Sequence, residues 1–227
     1  MIRVRRAVLL VAATAVAFGL LTAAVLVRLP VLVHTDAIVH IASRRYALTH
    51  PGWTAAMREI TATGSAAVFG PPAAVACLVL LRLRRWWPAL LVGAGLPLTL
   101  WLRVLVMEVV ARPRPSGWLT SAAGWSYPSG HTAGAAMTAL VAVVVLWPAT
   151  RRRAGRVVLI GVAAGWAVAV GVSRVALGVH WQSDVLGGWL FAGAVGGTLA
   201  LLLRRLTRPS RFEPAAPAGT ARPEETA

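Results

Sequence analysis

Two histidines, one aspartate and several arginines carry the chemistry that this chain can do. His180 and Asp184 stand four residues apart near the end of the stretch SRVALGVHWQSD, so a helix there would place both side chains on one face. A carboxylate beside an imidazole fixes its tautomer and leaves the other ring nitrogen available as a nucleophile. His131 follows Pro-Ser-Gly at residues 128–130 and can protonate a leaving oxygen as a general acid.

The neighbouring residues suit an anion such as phosphate. Ser129, Gly130 and His131 are predicted to begin a helix, where free backbone N–H groups and the helix dipole attract negative charge. Gly130 has no side chain, so a phosphate can approach the backbone there. Arg114 and Arg174 can each bind phosphate oxygens through two parallel hydrogen bonds.

The composition indicates that a membrane-embedded protein positions these residues. Of the 227 residues, 58% are hydrophobic and 13% are charged, and the mean hydropathy is +0.71. A soluble domain of this size could not bury so much apolar surface. The net charge is +16, yet the basic residues, all of them arginine, cluster between apolar runs. That pattern is typical of membrane orientation and argues against nucleic-acid binding.

Six apolar runs are predicted to cross the bilayer as helices, at about 1.5 Å per residue across roughly 30 Å of hydrocarbon. They are residues 7–27, 60–81, 88–110, 131–147, 157–172 and 185–203. A signal peptide is the alternative interpretation of the first run, although the run is long for one. Gly70-Pro71-Pro72 predicts a kink or a break in the second run. Residues 28–59 are predicted to lie outside the bilayer, in part as an interfacial helix.

Arginine clusters set the predicted orientation. The clusters before the first run, at residues 82–85, at residues 151–156 and after the sixth run fall on one side, which the positive-inside rule makes the cytoplasm. Both termini are then cytoplasmic, and the candidate site lies at the outer face. The predicted fold class is therefore all-α, with residues 1–208 as one six-helix membrane domain. Residues 209–227 are rich in Pro, Ala, Glu and Thr, which predicts a disordered cytoplasmic tail.

Each candidate also has a simpler explanation. Arg112 and Arg114 can anchor lipid headgroups, Ser129 can be only a helix N-cap, and His180 can be an interfacial histidine held by Asp184. Their joint occurrence on the predicted outer face favours a common site.

With these motifs in order, the chain resembles the phosphatidic acid phosphatase type 2/haloperoxidase superfamily, in its membrane lipid phosphatase branch. That family carries three motifs, KxxxxxxRP, PSGH and SRxxxxxHxxxD. The second is intact at residues 128–131 and the third at residues 173–184, and the resemblance covers residues 60–203. The first motif departs from the pattern, because Met107 stands where the family has a phosphate-binding lysine seven residues before Arg114. Arg103, one helical turn earlier, or Arg112 could compensate.

The resemblance implies a metal-independent phosphatase without a cofactor, acting at the bilayer edge of a bacterial plasma membrane. The implied substrate is a lipid phosphate or diphosphate, such as phosphatidic acid, phosphatidylglycerol phosphate or a polyprenyl diphosphate. By resemblance His180 would attack phosphorus and form a phosphohistidine, Asp184 would orient His180, and His131 would protonate the leaving group and then activate water. The residues expected to hold the phosphoryl oxygens are Arg114, Arg174, Ser129, Gly130, Arg112 and Arg103.

Two other functions stay open at this point. A lipid phosphotransferase would use a lipid or sugar hydroxyl in place of water. A degenerate, non-enzymatic lipid-phosphate binder would explain the missing lysine at Met107. The haloperoxidase chemistry of the same superfamily is disfavoured, because by resemblance those enzymes are soluble and this chain has six apolar runs.

Overall fold

A computed structural model of the chain describes residues 2–206, and every regular element in that range is an α-helix, as predicted. The helices are α1 (Ile2–Leu26), α2 (Pro30–Thr49), α3 (Pro51–Thr63), α4 (Ala66–Arg82), α5 (Trp86–Val110), α6 (Gly130–Leu146), α7 (Arg153–Ala176) and α8 (Gln182–Leu206). The tail predicted at residues 209–227 lies outside the described residues.

Five helical segments are long and apolar enough to cross a membrane. They are Val4–Leu26, Pro51–Arg82, Trp86–Val110, Arg153–Ala176 and Gln182–Leu206. Helix α6 is also apolar but has 17 residues, about 25 Å of helix, and is therefore short for a span. Together these segments correspond in order to the six apolar runs of the sequence.

The segment after α1 is more helical than the sequence indicated. The stretch predicted to lie outside the bilayer, residues 28–59, contains all of α2 and the first nine residues of α3. Apolar helix therefore begins at Pro51, nine residues before the predicted start of the second run.

The break in the second run lies at Gly64 rather than at Gly70-Pro71-Pro72. Helix α4 continues through both prolines, whereas the chain turns between α3 and α4. The reason is packing, because a Cβ on Gly64 would overlap the side chain of Val170 on α7. Only glycine lets the α3–α4 junction lie directly against α7.

Helices α6 and α8 form the centre of the bundle. Helix α8 packs against α1, α5 and α6, and α6 also packs against α5 and α7. The apolar core between them includes Leu91, Met137, Val141 and Ala192, all buried. Large apolar side chains on the other faces, such as Leu10, are exposed, as expected for helices that face lipid.

Candidate active site

Two loops meet at one end of the bundle and bring together the three motif segments, residues 112–115, 128–131 and 173–184. The first loop joins α5 to α6, and the second, residues 177–181, joins α7 to α8. The backbone N–H of Leu119 donates to the carbonyl of Leu177 at 3.0 Å, and the N–H of Ser129 donates to the carbonyl of Asp184 at 3.0 Å. Helix α6 therefore begins directly beside the start of α8.

A helix ending positions His180. Just after the end of α7, Gly178 has a φ of +69°, a left-handed conformation that glycine adopts easily. The N–H of Val179 bonds to the carbonyl of Arg174 and the N–H of Gly178 bonds to that of Val175, which is the Schellman pattern. This turn reverses the chain and buries His180, whose side chain is 2% exposed.

The carboxylate of Asp184 lies behind the imidazole of His180. Nδ1 of His180 lies 3.4 Å from Oδ2 of Asp184. His180 precedes α8, so the pair does not share a helix face. Instead Asp184 is the third residue of α8, and its Oδ2 accepts the backbone N–H of Trp181 at 2.9 Å. A carboxylate that reaches back to cap its own helix start is a common N-terminal arrangement, and here it also faces the imidazole.

Arg114 fixes the tautomer of His180. Its Nη1 lies 3.1 Å from Nε2 of His180, and because arginine only donates, Nε2 must be the unprotonated, accepting nitrogen. The ring proton then lies on Nδ1, facing Asp184. Burial lowers the pKa of His180 to about 4, against the opposing effect of Asp184. At neutral pH His180 is therefore an uncharged imidazole with its lone pair on Nε2.

All five N–H donors of Arg114 have acceptors. Besides His180, the guanidinium donates to the carbonyls of Val179, Gly124, Ala123 and Trp125, at 2.7–3.0 Å. Arg114 thus holds the two loops together, and it can contact a phosphate only by exchanging one of these acceptors.

The start of α6 offers the predicted anion-binding backbone. Ser129 is its N-cap residue, but the side chain makes no capping hydrogen bond; its Oγ accepts from the hydroxyl of Thr132 at 2.9 Å. As the first two helical residues, Gly130 and His131 have N–H groups with no acceptor inside the helix. His131 lies within electrostatic range of His180 and of three arginines, Arg103, Arg114 and Arg174.

Two arginines retain unused donors toward this region. Arg174 is 3% exposed and donates from Nη1 to Thr61 at 2.7 Å, while its buried Nε has no partner within residues 2–206. Arg103 donates from Nε to the carbonyl of Pro128 at 2.9 Å, and its Cζ would lie 3.4 Å from a Cβ on Gly130. Among the described residues, no hydrogen bond uses the Nη atoms of Arg103.

Met107 does not take part in this polar cluster. It is 8% exposed, and its thioether would lie 3.4 Å from a Cβ on Gly124. The side chain at the lysine position of the first motif is therefore packed beneath the α5–α6 loop, whereas Arg103 reaches the start of α6.

Arg112 is engaged elsewhere, which the sequence did not indicate. Its Nη1 donates to Asp184 Oδ1 and its Nη2 donates to Asp36 Oδ2, both at 2.7 Å. Nη1 also donates to the hydroxyl of Ser183 at 2.7 Å. A guanidinium bound by two carboxylates has little capacity for phosphate, so the geometry does not support Arg112 as a phosphate ligand. Asp36, Ser183 and Thr61 hydrogen-bond to the candidate arginines, and sequence reasoning missed all three.

The sequence profile of the PAP2 superfamily matches residues 88–208, just over half of the chain. The chain belongs to the PAP2 superfamily. The matched PAP2 segment contains both loops and every candidate residue except the newly found Asp36 and Thr61. With its apolar helices, the chain is an integral membrane protein of this family.

Two bacterial proteins named phosphatidylglycerophosphatase B are similar to this chain in sequence. Phosphatidylglycerophosphatase B of Escherichia coli (strain K12) is 40% identical over 86 residues, 38% of this chain and 32% of that protein. The chain thus matches about a third of the length of that relative. Phosphatidylglycerophosphatase B of Bacillus subtilis (strain 168) is 29% identical over 163 residues, 69% of this chain and 80% of the relative.

A solved PAP2 structure has the same fold. It is described as the first transmembrane PAP2 type phosphatidylglycerolphosphate phosphatase from Bacillus subtilis. The TM-score is 0.77 at 25% identity, and the match covers 89% of this chain and 99% of that chain.

Proposed function

We propose that the protein is a membrane phosphatase that hydrolyses a lipid phosphate through a phosphohistidine at His180. The observation that carries this proposal is the neutral, buried imidazole of His180, with Asp184 behind Nδ1 and Arg114 at Nε2. An uncharged Nε2 lone pair surrounded by guanidinium groups suits attack on an anionic phosphorus centre.

Substrate binding would use the unused donors of the site. Arg174, with its unpaired buried Nε, Arg103, and the N–H groups at the start of α6 would bind the phosphoryl oxygens. A phosphoryl oxygen would also replace Nε2 of His180 as the acceptor of Arg114 Nη1, and this exchange frees the lone pair for attack. Phosphate binding thus breaks the hydrogen bond from Arg114 to His180 and makes Nε2 available as the nucleophile.

In the first chemical step, Nε2 of His180 forms a bond to phosphorus as the bond from phosphorus to the lipid oxygen breaks. His131, as the imidazolium, gives its proton to the departing oxygen, so the lipid alcohol leaves neutral. The phosphorylated ring carries positive charge, which Asp184 stabilises through the Nδ1 proton.

In the second step, water attacks phosphorus and the bond between phosphorus and Nε2 breaks. Neutral His131 takes a proton from that water, which restores both histidines and releases inorganic phosphate. Arginines and the helix start carry the charge neutralisation that metal ions supply in other phosphoryl-transfer enzymes.

The substrate is proposed to be a lipid phosphate, with phosphatidylglycerol phosphate as the first candidate because of the names of the relatives.

Six spans with both termini in the cytoplasm would put the site at the outer face. The support is that the arginine-rich turns, at residues 82–85 and 151–156, alternate along the chain with the loops that carry the site. A cysteine introduced at Ser121, in a Cys77→Ser background, should react with a membrane-impermeant maleimide in intact cells.

The decisive experiment is phosphate release by detergent-purified protein in the presence of EDTA. The panel is phosphatidic acid, phosphatidylglycerol phosphate and a polyprenyl diphosphate. We expect release from at least one lipid, and its loss in His180→Ala with an unchanged thermal unfolding midpoint. His34→Ala, at an exposed histidine, is the matched control and should retain full activity.

The same assay separates the other functions. A phosphotransferase would accumulate phosphohistidine and turn over only when an acceptor alcohol is added. A non-enzymatic binder, which the buried Met107 favours, would bind the lipid and release no phosphate. Release that persists in His180→Ala would reject the proposed nucleophile.

A further inference from the structure

Asp36 is a buried carboxylate that lies outside the segment matched by the family profile. It belongs to α2, and its side chain is 1% exposed. Its Oδ1 accepts the backbone N–H of Ser183 at 3.0 Å, and its Oδ2 accepts the Ser183 hydroxyl and Nη2 of Arg112. Asp36, from a distant part of the chain, thus fixes both the start of α8 and the Arg112 side chain.

The charges of this cluster form a row that ends at His180. Arg112 is bound between Asp36 and Asp184 at 2.7 Å from each, and Asp184 faces Nδ1 of His180. Two carboxylates and one guanidinium leave a net charge of about −1 behind the imidazole. Without Asp36, the charge of Arg112 would cancel that of Asp184, and the positive charge on a phosphorylated ring would lose its counter-charge.

A purely structural role explains these contacts poorly. Burying two carboxylates and a guanidinium is costly, and well-packed apolar side chains at such positions are often at least as stable. Helix α2 packs against α3, α7 and α8, and it also buries His40 and Ala47. A role in the adjoining active site would explain why these ions are present despite the free-energy cost of burying them.

We propose that Asp36 is a positioning residue of the active site, which acts through Arg112 to orient Asp184 and to maintain the negative charge behind His180. This inference rests on the proposed function. Asp36 touches neither substrate nor the reacting atoms, and its effect on the chemistry passes through Arg112 and Asp184 to the ring of His180.

Other charged groups also face His180 and contribute to the electrostatic potential at its ring. They are Asp184 on α8, Arg114 on the α5–α6 loop, Arg174 on α7 and His131 on α6. Asp36 hydrogen-bonds instead to Arg112 and to Ser183, so a change at Asp36 reaches this set through the Arg112 side chain or through the start of α8.

The test is a double-variant cycle of Asp36→Asn and Arg112→Gln in the purified full chain. Asparagine keeps an oxygen that can accept the N–H of Ser183, but it removes the charge that faces Arg112. With phosphatidylglycerol phosphate, or the panel lipid hydrolysed fastest, Asp36→Asn should lower kcat about tenfold or more with little change in KM. In the Arg112→Gln background the same change should cost less than about threefold.

The matched control is Glu59→Gln, which removes one negative charge from an exposed position on the neighbouring helix α3. It should leave kcat unchanged. If Asp36→Asn costs the same factor in both backgrounds, Asp36 does not act through Arg112 and the proposal is overturned. Retention of full kcat by Asp36→Asn would overturn it as well, while the proposed function would stand.

A second readout is independent of turnover. In protein labelled with ¹⁵N-histidine at pH 7, the Nδ1 signal of His180, assigned by its loss in His180→Gln, should move in Asp36→Asn and stay fixed in Glu59→Gln. An unmoved signal in Asp36→Asn overturns the proposal. If the signal moves but the wild-type chain releases no phosphate from any lipid, the proposed function fails and the positioning contact stands.

Discussion

The replacement of Arg103 by methionine tests whether this arginine supplies the cation that the first motif lacks. Arg103 lies against Gly130 at the start of α6, with its Nη atoms unused among the described residues. A hydrogen bond to a charged group contributes about 1.5–3 kcal/mol, and 1.36 kcal/mol corresponds to a factor of ten. If Arg103 binds a phosphoryl oxygen in the transition state, Arg103→Met should lower kcat/KM by about 10- to 150-fold.

The assay is phosphate release from the lipid panel, with thermal unfolding as a check that the variant folds. Arg45→Gln is the matched control, because Arg45 is an exposed arginine on α2. It should keep kcat/KM within about twofold of wild type. An Arg103→Met variant that is folded and retains more than half of kcat/KM would refute the assignment.

Restoring the lysine of the motif sharpens the same test. In the wild-type background Met107→Lys should bring no gain, because the thioether lies beneath the loop that Arg114 holds through Gly124. An ammonium there adds a cation to a site already rich in them. In the Arg103→Met background, Met107→Lys should recover part of kcat/KM. A large gain in the wild-type background would mean that the native site lacks a needed cation and that Arg103 does not replace it.

Three further predictions concern pH dependence and packing. Because burial lowers the pKa of His180 to about 4, kcat/KM corrected for substrate ionisation should not fall between pH 7 and about 5; loss of about 90% by pH 5.5 would indicate an ordinary histidine as the nucleophile. Since the unfolded histidine binds a proton that the folded one excludes, the unfolding midpoint should fall as pH drops below about 6.5, and less so in His180→Gln. Gly188→Ala should lower the midpoint and the activity, since its Cβ would lie 2.9 Å from the carbonyl oxygen of Ser129, whereas Gly161→Ala, with nothing within 4 Å, should be neutral or stabilising.

The membrane helices could be predicted from the sequence because lipid imposes a length and a composition on every span. Five of the six predicted apolar runs correspond to helical segments long enough to cross a membrane, and the remaining one, the fourth run, corresponds to the short helix α6. The break at Gly64 could not be predicted in this way. It depends on contact with Val170, more than a hundred residues later, whereas the prolines at 71 and 72 are a local signal that the packed helix overrides.

The candidate site was predictable where its residues are close in the sequence. His180 and Asp184 do meet, although a helix N-terminus brings them together and not a shared helix face. Arg112 and Arg114 were not distinguishable, because both are arginines before a proline in one short stretch. Their partners separate them: Asp36 lies 76 residues before Arg112, and His180 lies 66 residues after Arg114.

The missing lysine shows why a motif and a site are different things. A phosphate needs positive charge at a position in space, and any side chain that reaches that position can supply it. Four residues of helix separate Arg103 from Met107, about 6 Å along the axis, which the long arginine side chain can cover by extending toward the start of α6. The guanidinium lies beside Gly130, where a bulkier residue would crowd it. The motif therefore lacks its lysine at Met107, yet the site keeps enough positive charge for one phosphate if Arg103, Arg174 and Arg114 act on it together.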